Sequence, residues 1–272
     1  MATEIHPSAF VDPTAELGED VFVGPGAVVG ARVQIGDRCR IEAGAHVQGP
    51  TTMGRENRVF SGAYIGFDPQ DLKFDGEETF LEVGDGNHFR ENCTVHRGTG
   101  SGGGLTKIGS HGLYMVGSHV AHDCQVGDHV IFANNGTLAG HVTVQDYAVI
   151  GAFTSVHQFC RVGAYAYTGG YSVITRDVLP YVKTVGAKPV CYGINKIGLQ
   201  RRGFSDAELK SLERAYRILV RSKLPTRKAL EQLKEELAGE PRVDFLIDFV
   251  DASERGVITD LPGKKKNSAR GG

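Results

Sequence analysis

Aliphatic residues return at every sixth position along most of the chain. Ile5, Val11, Leu17, Val23, Val29, Ile35, Ile41, Val47, Met53, Val59 and Ile65 keep one unbroken register. After an interruption Val83, Phe89 and Val95 hold the spacing, and after a second Ile108, Tyr114, Val120, Val126, Phe132, Leu138, Val144, Ile150, Val156, Val162, Thr168 and Ile174 do so. Neither the helical period nor strand alternation gives a spacing of six. A coil of three short flat strands does, because each strand returns one aliphatic side chain to the interior. The pattern predicts a mainly β architecture over 1–190: a parallel β-helix of hexapeptide repeats, with about eighteen residues per coil and coils about 4.8 Å apart. Its handedness does not follow from the period, since crossovers between parallel strands are right-handed in most folds.

The register breaks in three places. Loop insertions are expected near 67–81, which carries Asp71 and Lys73, and near 97–106, RGTGSGGGLT, whose glycines suggest either a mobile loop that closes over a ligand or a plain connector. After Ile174 the prolines Pro180 and Pro189 end the coils and helical punctuation begins. Ser205 with Glu208 makes a capping box, Leu209, Leu212, Tyr216 and Leu219 follow at helical spacing, and further helices are expected from near Thr226 and from Pro241. The prediction is a small C-terminal α-helical domain over 191–262, followed by a basic, disordered tail at 263–272.

Composition narrows the class. A chain of 272 residues with 40% hydrophobic content can bury one elongated core, and its 37 glycines fall in register, at corners with positive φ or crowded backbone. Five cysteines, an odd number without a CxxC pair, point to reduced thiols, and there is neither a leader-like start nor an apolar run long enough to span a membrane. A cytoplasmic location is the expectation. The net charge of −2 hides ten Lys or Arg between Lys196 and Lys228 against only Asp206, Glu208 and Glu213. Within that segment Lys210, Arg214, Arg217 and Arg221 line one helix face, suited to an anionic protein partner or simply to water.

Four of the ten histidines, His119, His122, His141 and His157, fall just after the glycine-rich loop. Taken modulo an eighteen-residue coil they occupy positions 11, 14, 15 and 13, one edge of the prism, with His122, Gly140 and Gln158 superposed. Imidazole suits general-base work near neutral pH, and Asp123 beside His122 can orient it only if a corner turns the chain there. The Gly140 N–H is placed to hold an oxyanion. Competing readings are a zinc site from His96, His119 and His122, a cysteine nucleophile at Cys124 or Cys160, and histidines that merely bond backbone carbonyls.

The segments QDLKF (70–74), VHRGT (95–99), GGGLTKIG (102–109), HVAHDCQVG (119–127), ANNGTLAGHV (133–142), VHQFCRVGA (156–164) and GLQRRGFS (198–205) resemble the acyl-ACP:UDP-N-acetylglucosamine O-acyltransferases of lipid A biosynthesis. That resemblance implies a left-handed β-helix, a homotrimer with active sites between prisms, and transfer of an (R)-3-hydroxyacyl chain from acyl carrier protein to the glucosamine 3-hydroxyl of UDP-N-acetylglucosamine. It implies His122 as catalytic base, Asp123 as its supporting carboxylate and Gly140 as oxyanion donor. Sugar-nucleotide contacts fall to Asp71, Lys73, His119, His141, Gln158, Asn195, Arg201 and Arg202, and acyl-chain length to Gly170, with Tyr171 beside it. The basic stripe Lys210, Arg214, Arg217 and Arg221 becomes a dock for acyl carrier protein. Neither metal nor other cofactor is implied, the acyl group arriving on the carrier's phosphopantetheine, and nucleic acid is not expected as a partner. A hexapeptide-repeat zinc carbonic anhydrase and a non-catalytic β-helix binding protein are the rival classes; the anhydrase gives QDLKF, the glycine-rich loop and the basic domain no use.

Overall fold

In the computed structural model, which describes residues 2–263, the six-residue register becomes a triangular prism. Three sheets form its faces. The first face runs from Glu4–Ile5 through Arg40–Ile41 and Val149–Ile150 to Val182–Val185; the second from Phe10–Val11 to Val173–Ile174; the third from Glu16–Leu17 to Arg161–Val162. Regular coils pair in parallel with a shift of one coil, Val11 with Val29 and Val120 with Leu138. Most strands are two residues long, an outward residue followed by an inward one. The inward members, among them Val29, Ile41, Phe89, Val120, Leu138 and Ile150, are fully buried in one core that runs the length of the prism. Stacking supplies the apolar burial that no single coil provides. Ile5, at the open end where no coil covers it, is 47% exposed.

The corners depart from the glycine expectation. Gly26, Gly44 and Gly62 do turn with positive φ, but so do sixteen non-glycine residues among the described residues of the prism, including Asp123, His141, Tyr147 and Phe159. Coil-to-coil hydrogen bonds such as His141 N–H to the His122 carbonyl help hold these left-handed residues in place. Other in-register glycines answer crowding: a Cβ on Gly36 would stand 2.7 Å from the carbonyl carbon of Gly54 in the next coil.

Sheet structure extends past residue 190, because Val190–Ile194 folds back antiparallel on Val182–Val185 and closes the first face. Four helices follow: α1 (Lys196–Arg201), α2 (Asp206–Tyr216, continued by a π turn at Arg217–Arg221), α3 (Thr226–Leu237) and α4 (Pro241–Asp251). The capping box at Ser205 and Glu208 starts α2, and Pro241 opens α4. The short α1, six residues long, has too few turns for a helical period to show in the sequence. Beyond α4 the chain returns to the prism, where Val257 bridges to Asp177 and the Asp260 carbonyl accepts from Cys191 N–H. Apart from Gly263, the tail expected to be disordered lies outside the described residues. No helix among the described residues is long and apolar enough to cross a membrane.

Candidate active site

Both insertions leave the prism at the corner joining the second face to the third, in successive coils: one between Tyr64–Phe67 and Phe80–Val83, the next between Thr94–His96 and Leu105–Ile108. They brace each other. The Gly100 N–H donates to Glu77 at 2.9 Å, and the buried Arg97 donates to the Gly49 and Gly66 carbonyls and pairs with Asp68. The three coils above cross the same corner without insertion, and loops and coils together wall a cleft of about 820 Å³. Asp71 and Lys73 line it from the first loop, Ser101 and Gly102 from the second, and His122, His141 and Gln158 from the coils.

The corner itself lets adjacent residues meet. Asp123 has φ of 60°, and this left-handed turn swings its carboxylate back to the preceding ring, so that His122 Nδ1 lies 2.8 Å from Asp123 Oδ2. With that nitrogen donating, the proton sits on Nδ1 and the Nε2 lone pair remains available. His122 and Asp123 are both buried. One coil above, a Cβ on Gly140 would stand 2.4 Å from His122 Cε1, so only glycine lets the ring lie against that backbone. Among the described residues the Gly140 N–H is donated to no acceptor. The His141 ring sits edge-on to His122 with centroids 5.2 Å apart and stacks on Phe159 at 4.5 Å.

The other expected residues lie elsewhere. His119 is on the second face, its Nδ1 2.7 Å from Thr94 Oγ1 and its ring edge-on to His96; burial, and then the neighbouring His122, lower its pKa. His157 is exposed and turned to the Gln158 carbonyl. Asn195, Arg201 and Arg202 share a second cavity of about 220 Å³ with Tyr147 and Tyr165, at the corner joining the third face to the first. There Asn195 donates to the Tyr165 carbonyl and the Arg202 guanidinium lies 4.7 Å over the Tyr147 ring. Gly170 lies at the remaining corner, where the only non-adjacent atom close to an added Cβ would be the Ala152 carbonyl oxygen at 3.2 Å; the neighbouring Tyr171, 70% exposed, stacks on Phe153. In the basic stripe, Arg214 pairs with Glu236 on α3, while Arg217 and Arg221 flank an apolar pocket with Lys196 and Tyr216.

Three open readings gain detail. The glycine-rich loop is anchored at its start: Thr99 is 2% exposed, a 3₁₀ turn spans Gly100–Gly102, and Thr99 holds Asp123 through both its N–H and its hydroxyl. Among the described residues the group able to surround a cation is His122, Asp123 and His141, not His96, His119 and His122. Both Asp123 oxygens already accept hydrogen bonds, and burial holds His96 down at a pKa of about 4. Cys124 and Cys160 are buried, with thiols raised by burial to about 12 and about 11, which suits packing rather than nucleophilic attack.

The six-residue coils define a hexapeptide-repeat protein, and comparison with known proteins gives its class, an acyltransferase. Residues 14–49 match the bacterial transferase hexapeptide model, and 177–258 match domain 2 of UDP N-acetylglucosamine O-acyltransferase. The acyl-[acyl-carrier-protein]–UDP-N-acetylglucosamine O-acyltransferase of Halorhodospira halophila is 47% identical over 94% of this chain and 99% of its own, and that of Thiobacillus denitrificans 47% over 95% and 100%. The solved UDP-N-acetylglucosamine acyltransferase of Francisella novicida superposes with a TM-score of 0.91 at 34% identity over 94% of both chains. The Moraxella catarrhalis O-acyltransferase gives 0.90 at 41% identity, over 93% of this chain and 99% of that one. The chain belongs to the acyl-ACP–UDP-N-acetylglucosamine O-acyltransferase family, and its prism is the left-handed β-helix of that family.

Proposed function

We propose that this enzyme transfers an (R)-3-hydroxyacyl chain from acyl carrier protein to the glucosamine 3-hydroxyl of UDP-N-acetylglucosamine, the first step of lipid A biosynthesis, with His122 as general base. The observation that carries the assignment is the buried His122–Asp123 hydrogen bond with the Gly140 backbone against the same ring. The Nε2 lone pair takes the hydroxyl proton as the sugar oxygen attacks the thioester carbon. The tetrahedral oxyanion accepts from the Gly140 N–H. Its collapse expels the carrier sulfur, which recovers the proton from the imidazolium. Every proton and electron pair is accounted for by His122 and the two substrates, so the cycle calls for no metal and no covalent enzyme intermediate.

The sugar nucleotide draws on two corners. Asp71, Lys73, His141 and Gln158 surround the base, and the paired guanidinium groups of Arg201 and Arg202 suit a diphosphate. In one prism these groups lie on different edges, which a homotrimer resolves by setting the base corner of one prism against the arginine corner of the next. The upper coils of the first face turn out Leu113, Ile131, Val149 and Tyr167, an apolar surface that suits such packing, whereas the second face mixes Phe10, Val28, Tyr64 and Val173 with His46, Thr94, His119, Thr137 and Ser155. Acyl carrier protein docks on Lys210, Arg217 and Arg221, with Arg214 joining once released from Glu236, and Gly170 limits the acyl chain. The reaction belongs in the cytoplasm, where carrier-bound acyl groups are made. Incubating the purified enzyme with UDP-N-acetylglucosamine and a series of 3-hydroxyacyl carrier thioesters, with product mass as readout, should give one O-acylated sugar nucleotide. Absence of any acylated product across the series would remove the assignment.

A further inference from the structure

The Asp123 carboxylate is built into the glycine-rich loop more firmly than into its own coil. Thr99 donates its N–H to Oδ1 at 2.9 Å and its hydroxyl to Oδ2 at 2.7 Å, and the Asp123 N–H donates to Thr106 Oγ1 at 2.8 Å. The Thr99 hydroxyl in turn accepts from Gly102 N–H at 3.1 Å, as the cap of the 3₁₀ turn. A continuous hydrogen-bonded chain therefore runs from the loop backbone through Thr99 to the Asp123 carboxylate, which also accepts from His122. Gly102 completes the fit, because a Cβ there would come within 2.1 Å of the Asp123 carboxyl. Thr99, His122 and Asp123 are each at least nine-tenths buried.

We infer that Thr99 is a positioning residue for the acyl transfer: its hydroxyl fixes the Asp123 oxygen that orients the His122 ring, and the glycine-rich loop is kept for this contact rather than for motion. A carboxylate free to rotate would present either oxygen, or neither, to Nδ1; with Oδ1 tied to the loop backbone and Oδ2 shared by hydroxyl and imidazole, one orientation remains. Removing the hydroxyl costs that orientation while leaving substrate contacts untouched, so the loss belongs in kcat and not in KM.

The inference rests on the His122 base reading, and the tests separate the two. Thr99→Val keeps the side-chain shape and the N–H donor; it should lower kcat about tenfold with both KM values within about twofold, and Thr99→Ser should restore most of the loss. In an Asp123→Ala background Thr99→Val should cost nothing further, because the residues act as one unit. Gly102→Ala, which crowds the carboxylate directly, should depress kcat at least as far as Thr99→Val. Unchanged kcat in Thr99→Val or Gly102→Ala, or a full additional loss in the Asp123→Ala background, would overturn the inference while leaving the base assignment standing. If His122→Ala itself turns over normally, the underlying reading fails instead.

Discussion

Two edges of the prism are built alike and put to different uses. At the edge from the third face to the first, His111, His129, Tyr147, Tyr165 and Tyr181 all turn with positive φ and pile their rings at centroid spacings of 5.0, 4.7, 4.8 and 5.8 Å. At the edge from the second face to the third, Asp123, His141 and Phe159 have the same backbone conformation, but the ladder stops at a carboxylate. Coil winding alone makes a column of side chains, and stacked rings are its ordinary content. In the proposed mechanism the column becomes reactive where an ionisable pair replaces a ring and where inserted loops wall it. At the reactive edge the wall comes from insertions within the coils. At the other it comes from the appended domain, through Arg202 over Tyr147 and Phe204 against Tyr165. The proposed trimer sets these two edges against each other, so the inserted loops and the helical domain serve one site from two chains.

The largest expected effect lies at the reactive edge. His122→Ala should cut kcat by at least about a hundredfold with the fold intact, because a general base is lost. Charge reversal at Arg217 and Arg221 should act on one substrate only, raising KM for the carrier-bound donor severalfold and sparing the sugar nucleotide. An equal rise in both KM values would detach the domain's cations from carrier docking. The smallest effect belongs to the stacked edge. His129→Ala opens a gap between His111 and Tyr147 and should cost about 0.5–1.5 kcal/mol in denaturant unfolding, with kcat within about twofold of wild type. A loss of turnover there comparable to His122→Ala would erase the contrast between the edges.

Sequence shows the winding of the prism but not its hand, because burial of one side chain per strand sets the six-residue register and leaves the direction of turning open. It shows the stacking of His122, Gly140 and Gln158 for the same reason. It does not show that His119 points off the second face, although the clue is present: His119 directly precedes inward Val120 and so turns outward, whereas His122 stands at the corner. Thr99 is invisible for a different reason. Its partner Asp123 is 24 residues away across an irregular insertion, where modulo arithmetic fails, and a glycine-rich run reads as slack when its glycines in fact make room for a carboxylate. Apart from His119, the residues proposed to contact the sugar nucleotide lie at two edges of one prism, a division that side-chain chemistry alone does not reveal.

That division makes mixing the sharpest test. His122→Ala and the Arg201→Ala/Arg202→Ala double variant, each nearly inactive as a homotrimer, can be co-expressed in equal amounts and the mixed trimers assayed with carrier-bound donor and UDP-N-acetylglucosamine. If each site takes its base from one prism and its arginines from the next, random assembly leaves an intact pair at about a quarter of the sites, and about a quarter of wild-type turnover should return. Turnover that stays at the level of the separate variants would show base and arginines serving within a single prism, and would contradict the account.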